Sequence, residues 1–206
     1  MAISISTFYD DIVSTLKKTN SSFVSPGDVT NAANKACIDI LHEFIKEYEN
    51  TPNRFSVDQT LLKLHSFSGS ATVRDLPSDV FKVSSIFNLD FEGDILDDKT
   101  FNDRAKSVII PPAGTRPIAT LYYDGGAKIR ILPQSTDHKI KYWKNPTKCV
   151  YNFTQSNGVI TFNPTGSVDI DFPMSEYTRI FNRTLTYLTP IAKDPDSAQL
   201  EQNILR

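Results

Sequence analysis

Leu121-Tyr122-Tyr123-Asp124-Gly125-Gly126-Ala127-Lys128-Ile129-Arg130-Ile131 sets the character of the chain. Two runs of β-forming residues flank Asp124-Gly125-Gly126, and glycine accepts the positive φ that a tight hairpin turn demands. The same grammar continues through residues 117–172. Pro133 to Asp137 leads to a strand at Lys139-Ile140-Lys141-Tyr142, and Cys149–Phe153 and Val159–Phe162 flank Ser156-Asn157-Gly158 as a second hairpin. Val168, Ile170 and Phe172 alternate with Asp169 and Asp171, the mark of a strand with one buried and one wet face. At Asp171-Phe172-Pro173 the period changes from two to 3.6. Pro173 opens a helix striped by Tyr177, Ile180, Phe181, Leu185 and Leu188, which Pro190 and Asp194-Pro195 are expected to end.

Upstream, the period is helical. Phe8, Ile12 and Leu16 recur every four residues in a helix over 6–18. Ser25-Pro26-Gly27-Asp28 combines a serine cap, a proline at the first helical position and an acid that answers the serine. The helix that follows, over 26–49, carries the stripe Val29, Ala33, Ala36, Cys37, Ile40, Leu41, Phe44, Ile45 and Tyr48. Residues 54–75 are ambiguous between a short helix, a strand and an arm. Phe81, Val83 and Ser85 alternate as a strand, residues 90–98 read as an acidic loop, and residues 99–106 as a short helix. The expectation is an α+β fold: three main helices (6–18, 26–49, 174–189) in a bundle, packed with an antiparallel β-sandwich or barrel. Residues 1–192 form one domain with a helical lobe (1–50 plus 173–192) and a β lobe (54–172), and residues 193–206 form a C-terminal tail.

Composition bounds the function. Of 206 residues, 39% are hydrophobic and 22% charged, which is globular, and the net charge of −2 lacks the basic excess of a dedicated nucleic-acid binder. The two cysteines, Cys37 and Cys149, read as reduced and buried rather than as a disulfide framework. The first residues have neither a basic nor an apolar leader region, and no segment approaches the ~18 apolar residues of a membrane span. A chain folded in the cytoplasm, with no membrane partner, is expected, and the sequons at Asn20, Asn152 and Asn182 then carry no glycan.

Catalytic patterns fail one by one. His42-Glu43 begins like H-E-x-x-H, but Lys46 stands where the second ligand belongs. The acids Asp90, Glu92, Asp94, Asp97 and Asp98 could ring a calcium ion, yet Gly93 is misplaced for an EF-hand and no glutamate closes the loop. Three histidines (His42, His65, His138), no G-x-S-x-G and no phosphate-binding glycine loop leave nothing to build an active site on. The reading is therefore no enzyme, no cofactor and no metal.

Two surface features remain. Lys128 and Arg130 on one strand and Lys139 and Lys141 on the next would place four cations on one sheet face, either an ordinary solvated face or a docking patch for phosphate or an acidic partner. Leu200, Ile204 and Leu205 recur at helical spacing in the tail, which is either unstructured or folds on entering a partner's groove. Tyr122, Tyr123 and Trp143 would be the stacking platforms if the chain were a carbohydrate-binding β-sandwich.

Several phrases carry a resemblance: the capped helix after Ser25-Pro26-Gly27-Asp28, Asp75-Leu76-Pro77-Ser78-Asp79-Val80-Phe81-Lys82-Val83, the hairpin ending Ile129-Arg130-Ile131-Leu132-Pro133, Ile140-Lys141-Tyr142 before Pro146, and Asp171-Phe172-Pro173 leading to a last helix and trailing tail. In this layout the chain resembles the adaptor, or tail-tubular A, ring proteins below the portal of short-tailed double-stranded DNA phages, especially those of the crAss-like kind. The resemblance implies a virion structural protein at the head-tail junction, made in the host cytoplasm. It implies a homo-oligomeric ring, dodecameric in the family, stacked on the portal protein, with further tail or ring proteins below and double-stranded DNA passing through the lumen without sequence-specific binding. Leu200, Ile204 and Leu205 would then dock on the portal. A tail hub or neck ring that never touches the portal is the nearest alternative.

Overall fold

The computed structural model describes residues 2–18, 24–50, 60–156 and 159–193. They form a mixed α+β fold in two compact units, one from residues 1–58 and 146–206 and the other from residues 59–145.

Unit 1 is built on α1 (Ile5–Lys18), α2 (Pro26–Asn50) and α4 (Tyr177–Lys193), with β1 (Ala2–Ile3), β9 (Phe153–Ser156), β10 (Val159–Phe162) and β11 (Ile170–Pro173). The capping box forms as read: Ser25 Oγ accepts from Asp28 N at 3.2 Å, and Asp28 Oδ2 accepts from Ser25 N at 3.0 Å. Every residue of the α2 stripe from Val29 to Tyr48 is buried. Ile5 N, at the start of α1, donates to Asp169 Oδ1 at 3.0 Å, so a distant carboxylate caps this helix. β1 pairs antiparallel with β11, which buries Ile3, Ile170 and Phe172. Phe8 meets Tyr177 and Phe181 edge-on at 5.7 and 6.1 Å. Pro190 does not end α4. The helix runs through it to Lys193, while Thr186 and Thr189 hydroxyls donate to carbonyls one turn back.

Unit 2 holds β2 (Leu62–Ser66), β3 (Val73–Asp75), β4 (Val80–Asn88), β5 (Phe91–Ile95), α3 (Asp98–Ala105), β6 (Ile118–Tyr123), β7 (Ala127–Leu132) and β8 (His138–Lys144). The seven strands make one sheet in the order β2-β8-β4-β5-β6-β7-β3. A flat sheet of seven strands would hold its edges roughly 29 Å apart at about 4.8 Å per strand. The edge strands β2 and β3 are joined only by residues 67–72, which reach at most about 25 Å when extended. The sheet therefore curls, and the joining segment bonds to both flanks through Phe67 N to His138 O and Ile131 N to Thr72 O. Inside the curl lie Phe67, Val83, Ile86, Ala119, Ile129, Ile131, Ile140 and Tyr142.

Several expectations are corrected. Residues 146–172, including β9 to β11, belong with the helices and not with a β lobe over 54–172. The sheet is not purely antiparallel, since β5 runs parallel to β6. The acidic segment 90–98 is the second residue of a turn, strand β5 and the cap and first residue of α3: Asp97 Oδ1 accepts from Thr100 N at 3.0 Å, and Asp94 pairs with Arg104 at 2.6 Å. Residues 60–75 of the ambiguous stretch are β2, β3 and their connection, while residues 54–59 lie outside the described residues.

Candidate docking surfaces

The connection from α3 to β6 carries the most exposed apolar side chains described in the chain. Val108 and Ile109 are 93% and 91% exposed, and Ile110 is 48% exposed. Val108 and Ile109 forgo about 1.5–3 kcal/mol each of burial and Ile110 roughly half of that, so packing among the described residues does not account for the run. The base of the loop is fixed. Ile110 N donates to Ser107 Oγ at 3.1 Å, Ala113 and Arg116 bridge each other, and Asn88 Nδ2 donates to Gly114 O at 2.9 Å. Pro111, Pro112 and Pro117 stiffen the rest. The Asn88 bond sets the loop beside the turn between β4 and β5, where Leu89 stands exposed with φ 54° and Phe91 is half-exposed. A leucine at positive φ is strained, and the turn keeps it with its side chain outward.

The four cations share the outer face of the sheet, alternating with the interior Ile129, Ile131, Ile140 and Tyr142, but they do not sit on neighbouring strands. β7 and β8 follow each other in sequence but lie on opposite arms of the sheet, with β4, β5 and β6 between them. The expectation assumed a hairpin across Pro133–Asp137, and the strands instead find other neighbours. Lys128 and Arg130 share a face with β3 and β6: Lys128 reaches Asp124 at 3.6 Å and Asp75 at 4.0 Å, while Arg130 lies 5.2 Å over the buried Phe101 ring of α3. Lys139 and Lys141 sit opposite Phe87 and Ser85 of β4. Each pair keeps to its own arm.

Leu200, Ile204 and Leu205 lie outside the described residues. Trp143 is fully buried and cannot stack on a sugar, which leaves Tyr123, well exposed at the end of β6, as the open aromatic ring among the three proposed platforms. His42 lies on the exposed side of α2. Among the described residues no three His, Cys, Asp or Glu side chains gather as a metal-binding group, and no described helix is long and apolar enough to cross a membrane. Cys37 and Cys149 are free thiols. Burial pushes both upward in pKa, Cys149 to about 11, and the Asn34 amide pins the backbone of Cys149 with bonds of 2.9 and 3.1 Å.

In unit 1, α2 and α4 meet along a polar seam. Arg179 reaches Glu43 at 2.6 Å, Glu47 at 3.5 Å and Glu176 at 3.7 Å, Arg183 also binds Glu43, and the Tyr187 hydroxyl donates to Asp39. These groups are partly exposed, so each pair is worth no more than about 1 kcal/mol. The seam fixes the register of two helices whose apolar stripes do the rest.

Neither a protein-family model nor a curated protein matches this chain. The docking reading therefore rests on geometry. Val108-Ile109-Ile110 carried no assigned role in the sequence, although three β-branched residues before a double proline, outside any periodic stretch, were the signal that could have found it.

Proposed function

We propose that the protein is a virion structural subunit, a ring-forming head-to-tail connector that docks on a portal ring and lets DNA pass. The observation that carries this is the solvent-facing Val108-Ile109-Ile110 run on a loop bonded at its base, because an exposed apolar run is what a subunit presents to a neighbour in an assembly. The net charge of −2 fits a conduit, since a strongly basic lumen would retain DNA rather than release it. The finer architecture that goes with this reading is a bundle of α1, α2 and α4 and a barrel closed from the seven strands of unit 2.

In this reading the C-terminal tail engages the portal through Leu200, Ile204 and Leu205, and the 106–117 loop engages an adjacent copy or the next tail component. Deleting residues 195–206 is expected to leave a folded subunit that no longer joins portal rings in co-sedimentation. Binding that survives the deletion would favour a hub or neck ring away from the portal. Loss of folding would make the tail part of the core and remove the docking role.

A further inference from the structure

We propose that the interior of unit 2 holds a binding site for one small inorganic anion, with chloride as the simplest, built from the Arg74 guanidinium, His138 and Asn88. The register of the sheet places all three side chains inside the curl. Arg74 is opposite Ile129, and Asn88 and His138 are opposite each other, one layer on from the pair Ile86 and Ile140. Ile86, Ile129 and Ile140 belong to the interior apolar cluster, and directly opposed residues of a pair project from the same face. Arg74 is 7% exposed, Asn88 6% and His138 0%.

Their hydrogen-bond inventory is incomplete in a complementary way. Arg74 Nε donates to Ala71 O and Nη2 to Ser135 O, and the guanidinium lies 5.2 Å over the Phe67 ring. Its Nη1, both ring nitrogens of His138 and Asn88 Oδ1 have no partner among the described residues. No described carboxylate pairs with this buried cation, and an isolated buried charge is costly. A single anion accepting from Arg74 Nη1 and from one N–H of a protonated His138, whose other N–H donates to Asn88 Oδ1, would satisfy every one of these groups. A neutral imidazole leaves the Arg74 charge unanswered, and among the described residues neither its nitrogens nor Asn88 Oδ1 meets a partner. Anion binding is thus tied to the uptake of one proton by His138.

The charges that bear on His138 are consistent with this coupling. Burial comes first and Arg74 of β3 second, both opposing protonation, and Asp137 beside it favours protonation. β4 contributes the uncharged Asn88, and the segment before β3 contributes the Phe67 backbone. An anion at Arg74 removes the second obstacle.

The test is an NMR titration of the His138 imidazole in the full-length protein, in sodium chloride and in sodium gluconate at equal ionic strength. The pKa of His138 is expected to be higher in chloride by about one unit or more, a tenfold or greater preference of the anion for the protonated form. His42 and His65 should not move. Arg74→Lys should retain the shift and Arg74→Met abolish it. If Arg74→Met fails to fold, the two salts on the unmodified protein decide the matter. An unchanged His138 in the two salts, as a bridging water would give, overturns the proposal, and so does an equal shift in Arg74→Met.

Discussion

Gly93→Ala is the substitution that bears hardest on the account of unit 2. Gly93 sits on β5 where that strand meets β6, the parallel joint between the halves β2-β8-β4-β5 and β6-β7-β3. A Cβ at this position would stand 2.1 Å from Pro117 O, 2.5 Å from Pro117 Cγ and 2.8 Å from the Pro117 carbonyl carbon. Backbone cannot give way as a side-chain tip can, so the strands must separate by roughly 1 Å, at an overpacking cost of about 1–3 kcal/mol. The separation weakens Asp94 N to Pro117 O, now 3.0 Å, and Leu96 N to Ala119 O, now 2.7 Å. Each such bond is worth about 1 kcal/mol net, which brings the expected loss to roughly 3–5 kcal/mol. At 2–4 °C per kcal/mol for a chain of this size, thermal melting should fall by roughly 10 °C. Circular dichroism melts and urea titrations measure it, with Gly126→Ala as the control, because nothing lies within 4 Å of a Cβ there. A Gly93→Ala protein within about 0.5 kcal/mol of the parent would refute the β5–β6 joint as described.

Other expectations follow from the same geometry. His138 is held near a pKa of about 4 by burial and Arg74, below its ordinary 6.5. In a non-binding salt, the unfolded chain therefore binds a proton between pH 6.5 and 4 that the folded chain refuses. Stability should be fully retained above pH 6.5 and fall by up to about 3 kcal/mol by pH 4, and a urea series showing no such slope in that window counts against a buried neutral imidazole. Val108→Ser with Ile109→Ser should leave melting within about 0.5 kcal/mol of the parent yet impair assembly in sedimentation velocity; marked destabilisation would mean the loop is packed. Phe172→Ala, which removes a buried ring 6.1 Å from Phe44, should cost roughly 3–5 kcal/mol in urea denaturation, and a cost under about 1 kcal/mol would contradict the core of unit 1.

The helices were the legible part of the chain. The α2 stripe and the Ser25–Asp28 box are local patterns, and local hydrogen bonds and period suffice to read them. Strands were legible singly, but their partners were not. Alternation in Lys128–Ile131 and Lys139–Tyr142 gives two faces and says nothing of which strand lies alongside, and the sheet places these two on opposite arms. Pairing depends on loop reach and curvature, which no single segment encodes. Likewise Gly93 drew attention only as a misfit in a calcium loop, when its use is the close approach of Pro117. Asp169 alternated as a wet-face residue and turned out to cap α1, a tertiary contact that periodicity cannot anticipate. The basic patch failed for the same reason that the buried Arg74–His138–Asn88 group went unread: in both cases the grouping is made by the sheet order.

The most direct test of the connector account is electron microscopy of the full chain mixed with a portal ring encoded in the same genome. The account predicts closed rings of this protein coaxial with the portal, absent when residues 195–206 are deleted and impaired in the Val108 and Ile109 double variant. A chain that stays a lone monomer beside intact portal rings, at concentrations where both are folded, would contradict it.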